Sequence, residues 1–147
     1  MMVEWRIKSF EALTTQEFYD VAFERIRTFV VAQQRVYQEI DETDRVARHI
    51  LGYQDGRLVA YARIFTEREH VTFGRVLTIP ERRGQGLGRQ LVAQIEAELH
   101  ANFAGLPVSI EAQVDKQQFY EKFGYEAVGD VFLFNSTPHI RMDKAAL

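Results

Sequence analysis

The chain contains no cysteine. Disulfides, a thiol nucleophile and a cysteine-based zinc site are therefore excluded. Four scattered histidines argue against a structural metal. No apolar run approaches membrane-spanning length. Met1-Met2-Val3-Glu4-Trp5 shows no basic-then-apolar signal pattern, so the expected location is the cytoplasm. Basic excess is also missing: the net charge is −3, which disfavours a general nucleic-acid binder. Repeats, linkers and low-complexity stretches are absent as well. What remains is 147 residues of ordinary globular composition, 46% hydrophobic and 27% charged. That length suits one domain, residues 1–147, with a substantial core.

The most distinctive stretch is Arg83-Gly84-Gln85-Gly86-Leu87-Gly88. It lies between a β-branched run ending at Ile79-Pro80 and the apolar series Leu87, Leu91, Ile95, Leu99, whose spacing predicts a helix to about Asn102. Glycines let the backbone approach a ligand closely, and amides at a helix start make an anion cradle. Arg82, Arg83 and Arg89 flank it. Their alternative is a solvated face, and for Arg89 the two readings weigh equally.

Elsewhere, alternation over Val3, Trp5 and Ile7 predicts a strand. Thr14 and Glu17 form a capping box ahead of a helix drawn from about Thr15 to Gln34. The acidic segment Tyr37 to Asp44 reads as a solvated loop, with an acceptor-site rim for cationic amines as the alternative. His49 to Tyr53 and Leu58 to Phe65 are strands joined by an Asp55-Gly56 hairpin turn. Arg63, among apolar neighbours, needs a partner or a polar cleft. His49 and His70 read as surface or strand-end residues. Strands over Val71–Ile79 and Val108–Val114 flank the central helix and should be parallel. A short helix, Lys116 to Phe123, ends at Gly124. Strand material follows over Tyr125–Phe134, broken at Gly129-Asp130, and over His139–Met142. The expected order is β-α-β-β-β-α-β-α-β-β, a mixed sheet with helices on its faces.

Spacing narrows the glycine turn. A phosphate-loop NTPase needs Lys then Ser or Thr, where Arg89-Gln90 stands. The dinucleotide fingerprint needs its third glycine one residue later. Arg83-x-x-Gly86-x-Gly88 after a mid-chain strand instead resembles the cofactor motif of the GNAT superfamily of N-acetyltransferases. Phe119-Tyr120 followed by Phe123-Gly124-Tyr125 matches a second motif of that family. Phe29-Val30-Val31-x-Gln33, Tyr37-Gln38-x-Ile40-Asp41, Arg48-His49-Ile50-Leu51-Gly52, Val59-Ala60-Tyr61-Ala62-Arg63, Gly74-Arg75-Val76 and Pro138-His139-Ile140-x-Met142 resemble its ElaA-like branch.

The resemblance implies an α+β GNAT fold: a mixed, mostly antiparallel sheet of roughly six to seven strands, about four helices, and a splayed parallel pair at the cofactor site. It implies acetyl-CoA as co-substrate, with its pyrophosphate on the amides of Arg83, Gly84, Gln85, Gly86, Leu87 and Gly88. The helix dipole would favour that charge by about 1–2 kcal/mol. The pantetheine would pair with Val76, Leu77 and Thr78, and an amide near Leu77 would polarise the thioester carbonyl. Tyr120 is the implied general acid; its alternative is a packing aromatic beside Phe119. Gln113 stands where relatives often place a cofactor-contacting Asn. For the base, Val71–Ile79 offers no carboxylate. Glu111, with an arginine ion pair as its alternative role, His139 and ordered water are the candidates, and water is preferred. The expected reaction is direct acetyl transfer to a primary amine of a small molecule or protein. It involves no metal, no nucleic acid and no membrane, and leaves a homodimer open. A non-catalytic acyl-CoA-binding module is the alternative.

Overall fold

The computed structural model describes residues 2–147. The elements follow the expected order: β1 (Glu4–Ser9), α1 (Thr15–Ile26), β2 (Arg48–Gln54), β3 (Arg57–Glu67), β4 (His70–Thr78), α2 (Leu87–Asn102), β5 (Val108–Gln113), α3 (Gln117–Glu121), β6 (Glu126–Phe134) and β7 (Thr137–Lys144). All seven strands form one sheet, ordered β1-β2-β3-β4-β5-β7-β6. Only β4 and β5 run parallel, and they are in register at a single pair, Val71↔Val108. Beyond it the two strands diverge, leaving the β5-facing edge of β4 open.

Local chemistry accounts for the joints. Thr14 Oγ1 accepts from the Glu17 amide at 3.0 Å, and the Glu17 carboxylate accepts from the Thr14 amide at 2.9 Å. This capping box starts α1. Asp55 and Gly56 both have positive φ, 52° and 75°, as a tight β-hairpin turn requires. Gly129, at φ 78°, does not end β6 but sits in a bulge, where the register shifts between Val128 and Phe132. The first helix is shorter than its periodicity suggests: the α-helix stops at Ile26 and continues as a π-helical stretch, Arg27–Ala32.

Two apolar layers result. On one face Leu91, Val92, Ile95 and Leu99 of α2 pack with Tyr120 and Tyr125 on Ile50, Ala62, Phe73, Ile110 and Met142. On the other, Val21 and Phe29 pack on Leu51, Tyr61 and Leu77.

Two expectations are corrected here. Apart from the exposed Glu42, the acidic segment is not a solvated loop or a negative rim. Glu39 and Asp44 are 1% and 2% exposed. Arg25 from α1 donates to Glu39 Oε2 at 2.9 Å and to Asp44 Oδ1 at 2.6 Å. Arg63 donates to Asp41 Oδ1 at 2.7 Å and Asp44 Oδ1 at 3.0 Å, which supplies the partner its apolar surroundings demanded. Arg75 Nη2 donates to the Glu39 carbonyl at 2.9 Å. Three arginines thus neutralise three carboxylates under the sheet. His49 stands at the start of β2, as the strand-end reading expects, but is no surface residue, being fully buried. Its Nε2 lies 2.9 Å from the Asp44 carbonyl, which can only accept, so Nε2 carries the proton; Nδ1 then accepts from Tyr61 Oη at 2.6 Å. Burial holds its pKa below the ordinary histidine range, against the pull of the Asp44 carbonyl.

Candidate active site

The glycine turn opens α2. Gly84 and Gly86 take φ of 82° and 73°, and Gly86 is the N-cap with no side chain to satisfy the helix. The first amides of α2 have no intrahelical acceptor and point out of its start. They border a cleft of ≈ 590 Å³ lined by Thr78, Arg82, Arg83, Gly84, Gly86, Leu87, Gly88, Arg89, Phe119, Lys122 and Phe123. A shallower depression of ≈ 510 Å³ continues along Gln85, Gln90 and Ala93.

Charge in this cleft is one-sided. It is lined by Arg82, Arg83, Arg89 and Lys122 and by no carboxylate. Among the described residues none of the four forms an ion pair; Arg82 Nε bonds the Gln54 amide oxygen at 3.0 Å. The nearest acid in sequence, Glu81, is held elsewhere: it accepts from Arg27 at 2.8 Å and Arg57 at 2.9 Å. Those two guanidiniums keep its carboxyl far below the usual range. Four uncompensated cations around outward-facing amides are a site for a polyanion such as a diphosphate. Lys122 was not legible in the glycine motif because it caps the end of α3, 33 positions after Arg89.

Val76, Leu77 and Thr78 lie on the open stretch of β4. Leu77 and Thr78 pair with Tyr61 and Ala60 of β3 on the closed side. A β-bulge precedes them: Tyr61 faces Leu77 while Arg63 faces Gly74, so Arg75 and Val76 together oppose one residue of β3. Arg75 adopts a left-handed φ of 52° there. Its guanidinium, bonded to Glu39, holds it in that conformation.

Tyr120 is 6% exposed and packs against Phe73 at 6.0 Å, Phe119 at 5.2 Å and Tyr125 at 6.0 Å between ring centroids. Burial pushes its phenol well above the ordinary value. A phenol so perturbed keeps its proton and is available as a hydrogen-bond donor. Tyr120 sits on the α2 side of the sheet beside Phe119, which lines the cleft, but does not line it itself.

Gln113, Glu111 and His139 lie on the other side. Their strand neighbours Ile110, Ala112 and Ile140 belong to the α2-side core, so alternation turns these three toward the α1 face. Gln113 does not line the cleft; its Nε2 donates to Gln33 Oε1 at 3.1 Å. Glu111 is exposed opposite Arg141, but Arg141 binds Asp143 at 2.7 Å and Ser109 at 3.1 Å instead. His139 is 7% exposed and directly opposite Gln113. The structure thus gathers Thr78, Arg83, Gly84, Gly86, Leu87 and Gly88 into one cleft and sets Glu111 and Gln113 across the sheet from it. Among the described residues no group of three or more His, Asp or Glu could hold a metal, and no helix is long and apolar enough to cross a membrane.

Comparison with known proteins gives the same architecture. The model of the acetyltransferase (GNAT) domain matches residues 13–146. Protein ElaA of Escherichia coli (strain K12) is 34% identical over 151 aligned residues, covering 99% of each chain. The crystal structure of Escherichia coli ElaA superposes with TM-score 0.89 at 36% identity, covering 97% of this chain and 99% of that one. An acyl-CoA N-acyltransferase from Pseudomonas aeruginosa superposes with TM-score 0.90 at 35% identity, over 98% of this chain and 100% of that one.

Proposed function

The chain belongs to the GNAT acetyltransferase family, and we propose that residues 1–147 act as one N-acetyltransferase domain moving acetyl from acetyl-CoA directly to a primary amine. The family makes it an acyltransferase that draws on acyl-CoA. The choice of acetyl, the amine acceptor and a cytoplasmic site of action are our reading. One observation carries it most: four unpaired cations and the glycine amides converge on a cleft beside the open edge of β4.

The pyrophosphate rests on the amides from Arg83 through Gly84, Gln85, Gly86 and Leu87 to Gly88. Arg82, Arg83, Arg89 and Lys122 are within the same cleft to meet its phosphates. Pantetheine follows the free edge of β4 at Val76, Leu77 and Thr78. An amide near Leu77, just past the bulge, polarises the thioester carbonyl, which becomes an oxyanion as the amine attacks. Tyr120 donates to the departing sulfur. A covalent acyl-enzyme has no cysteine to form on. Catalysis rests on placing two substrates and polarising one carbonyl.

Calorimetry with CoA, and thiol release from acetyl-CoA over a panel of primary amines, test this. CoA should bind, at least one amine should turn over, and Tyr120→Phe should lower turnover about 10- to 100-fold with little change in CoA affinity. Tight binding without turnover on any amine, and no effect of Tyr120→Phe, would make the protein an acyl-CoA-binding module instead.

A further inference from the structure

We infer that His139 is the base that takes the acceptor's proton. The inference rests on the acyl-transfer reading above and adds to it the group that completes the chemistry.

Three observations converge on this residue. The first is its tautomer. His139 Nδ1 lies 2.8 Å from the Thr137 carbonyl, which can only accept, so Nδ1 carries the hydrogen in the neutral ring. The lone pair is therefore on Nε2, and Nε2 has no hydrogen-bond partner among the described residues. A base needs such a free, directed lone pair.

The second is its fixation. The ring stacks on Phe132 with centroids 6.0 Å apart at 27°, and Phe134 meets it edge-on at 5.5 Å. Two aromatic walls and one hydrogen bond leave the imidazole little freedom to turn.

The third is its place. Parallel register sets Val71 of β4 beside Val108 of β5. Counting along both strands, with the bulge at Arg75-Val76 taken as one step, brings the Val76-Leu77 stretch level with Gln113, across the gap where the strands have parted. His139 is the β7 partner of Gln113 and shares its face. The cleft for the acyl donor opens on the α2 side, so the acceptor reaches the thioester from the α1 side, where His139 stands. Glu111, two residues back along β5, is level with Gly74. Two residues of strand put it about 7 Å nearer the closed end of the gap, and among the described residues no hydrogen bond orients its carboxylate. The charged groups around His139 are Glu111 on β5, Arg141 on β7 and Arg35, which lies 6.0 Å over the Phe134 ring.

The balance of the step is simple. An alkylammonium gives one proton to His139 Nε2, directly or through one water. The freed nitrogen lone pair forms the C–N bond, the C–S bond breaks, and its electron pair leaves on sulfur. The second nitrogen proton goes to the thiolate. His139 returns its proton to solvent, so one proton is released per turnover.

The test compares two nucleophiles in the full-length protein. n-Butylamine is protonated at neutral pH and needs a base; hydroxylamine is already unprotonated and does not. Thiol release from acetyl-CoA is followed with each, in wild type and His139→Gln, alongside CoA affinity by calorimetry. The expected result is a drop of at least 50-fold in kcat with n-butylamine, a loss under about 5-fold with hydroxylamine, and unchanged CoA binding. Parallel losses with both nucleophiles would overturn the inference, because a misfolded or merely displaced site slows both. So would the selective loss appearing in Glu111→Gln rather than His139→Gln. Failure of the wild-type protein to bind CoA would instead overturn the acyl-transfer reading beneath it.

Discussion

At Gly86 the backbone, not the space around it, asks for glycine. A Cβ there would meet only Arg89 Nη2, at 3.7 Å, but φ is 73°. Any L-residue at that angle costs about 1–2 kcal/mol, and a branched one also stands over the amides that face the ligand. Gly86→Val should therefore cut CoA affinity by calorimetry at least tenfold while the fold survives by circular dichroism. Gly88 differs. Its φ is not positive, and its Cβ would sit 3.5 Å from the Phe119 ring, an ordinary contact. Gly88→Ala should keep CoA affinity within about threefold, so two glycines of one motif answer to different causes. Lys122 supplies the third residue-scale prediction. If it meets a phosphate, Lys122→Ala weakens CoA about 3- to 10-fold at low salt, and the difference between variant and wild type shrinks as salt rises.

Among the elements, α1, the 38–45 segment, β3 and β4 are joined by buried charge rather than by apolar packing alone. Arg25 is fully buried and holds both Glu39 and Asp44. Removing it leaves two carboxylates without their main partner, so Arg25→Met should destabilise by about 3–5 kcal/mol in urea unfolding. The sequence could not show this. A run of Glu39, Asp41, Glu42 and Asp44 looks solvated because its partners lie at Arg25, Arg63 and Arg75, far away in the chain. Arg63 alone gave a signal, a charge among apolar neighbours. Sequence pattern, by contrast, found the three α-helices and the seven strands, because apolar spacing is a local property. It overran most where α1 gives way to a π-helical stretch at Arg27–Ala32. The cleft was legible for a related reason: Arg82 to Arg89 is one contiguous turn. Lys122 depends on how distant elements fold together, and the tautomer of His139 on the backbone of β7 at Thr137, which periodicity does not report.

For the molecule as a whole, the buried polar groups set a pH window. Burial holds the His49 pKa below its ordinary value of about 6.5. The unfolded chain then binds more protons than the folded one once pH falls through that value, so stability starts to decline there. Glu17 and Asp44 act lower down. Desolvation would raise both, but it is overcome at Glu17 by Lys8, the Thr14 amide and Arg6, and at Asp44 chiefly by Arg25. Each is held at about 2. A depressed carboxyl contributes its full stability above its unfolded value near 4 and loses it as pH falls toward the folded value. Urea midpoints should therefore be flat between about pH 7 and 9, fall gently below 6.5 and fall steeply between about 4.5 and 2. Salt separates the two carboxyls. Lys8 and Arg6 are 30% and 32% exposed, so about 1 M salt screens their hold on Glu17. Arg25 and Arg63 are 0% and 5% exposed and stay unscreened at Asp44. High salt should thus make the acid limb shallower without abolishing it, and Glu17→Gln at low salt should shallow it by a similar amount. An acid limb that vanishes in salt would show that exposed pairs carry the whole dependence and that Asp44 is not held low by its buried arginines.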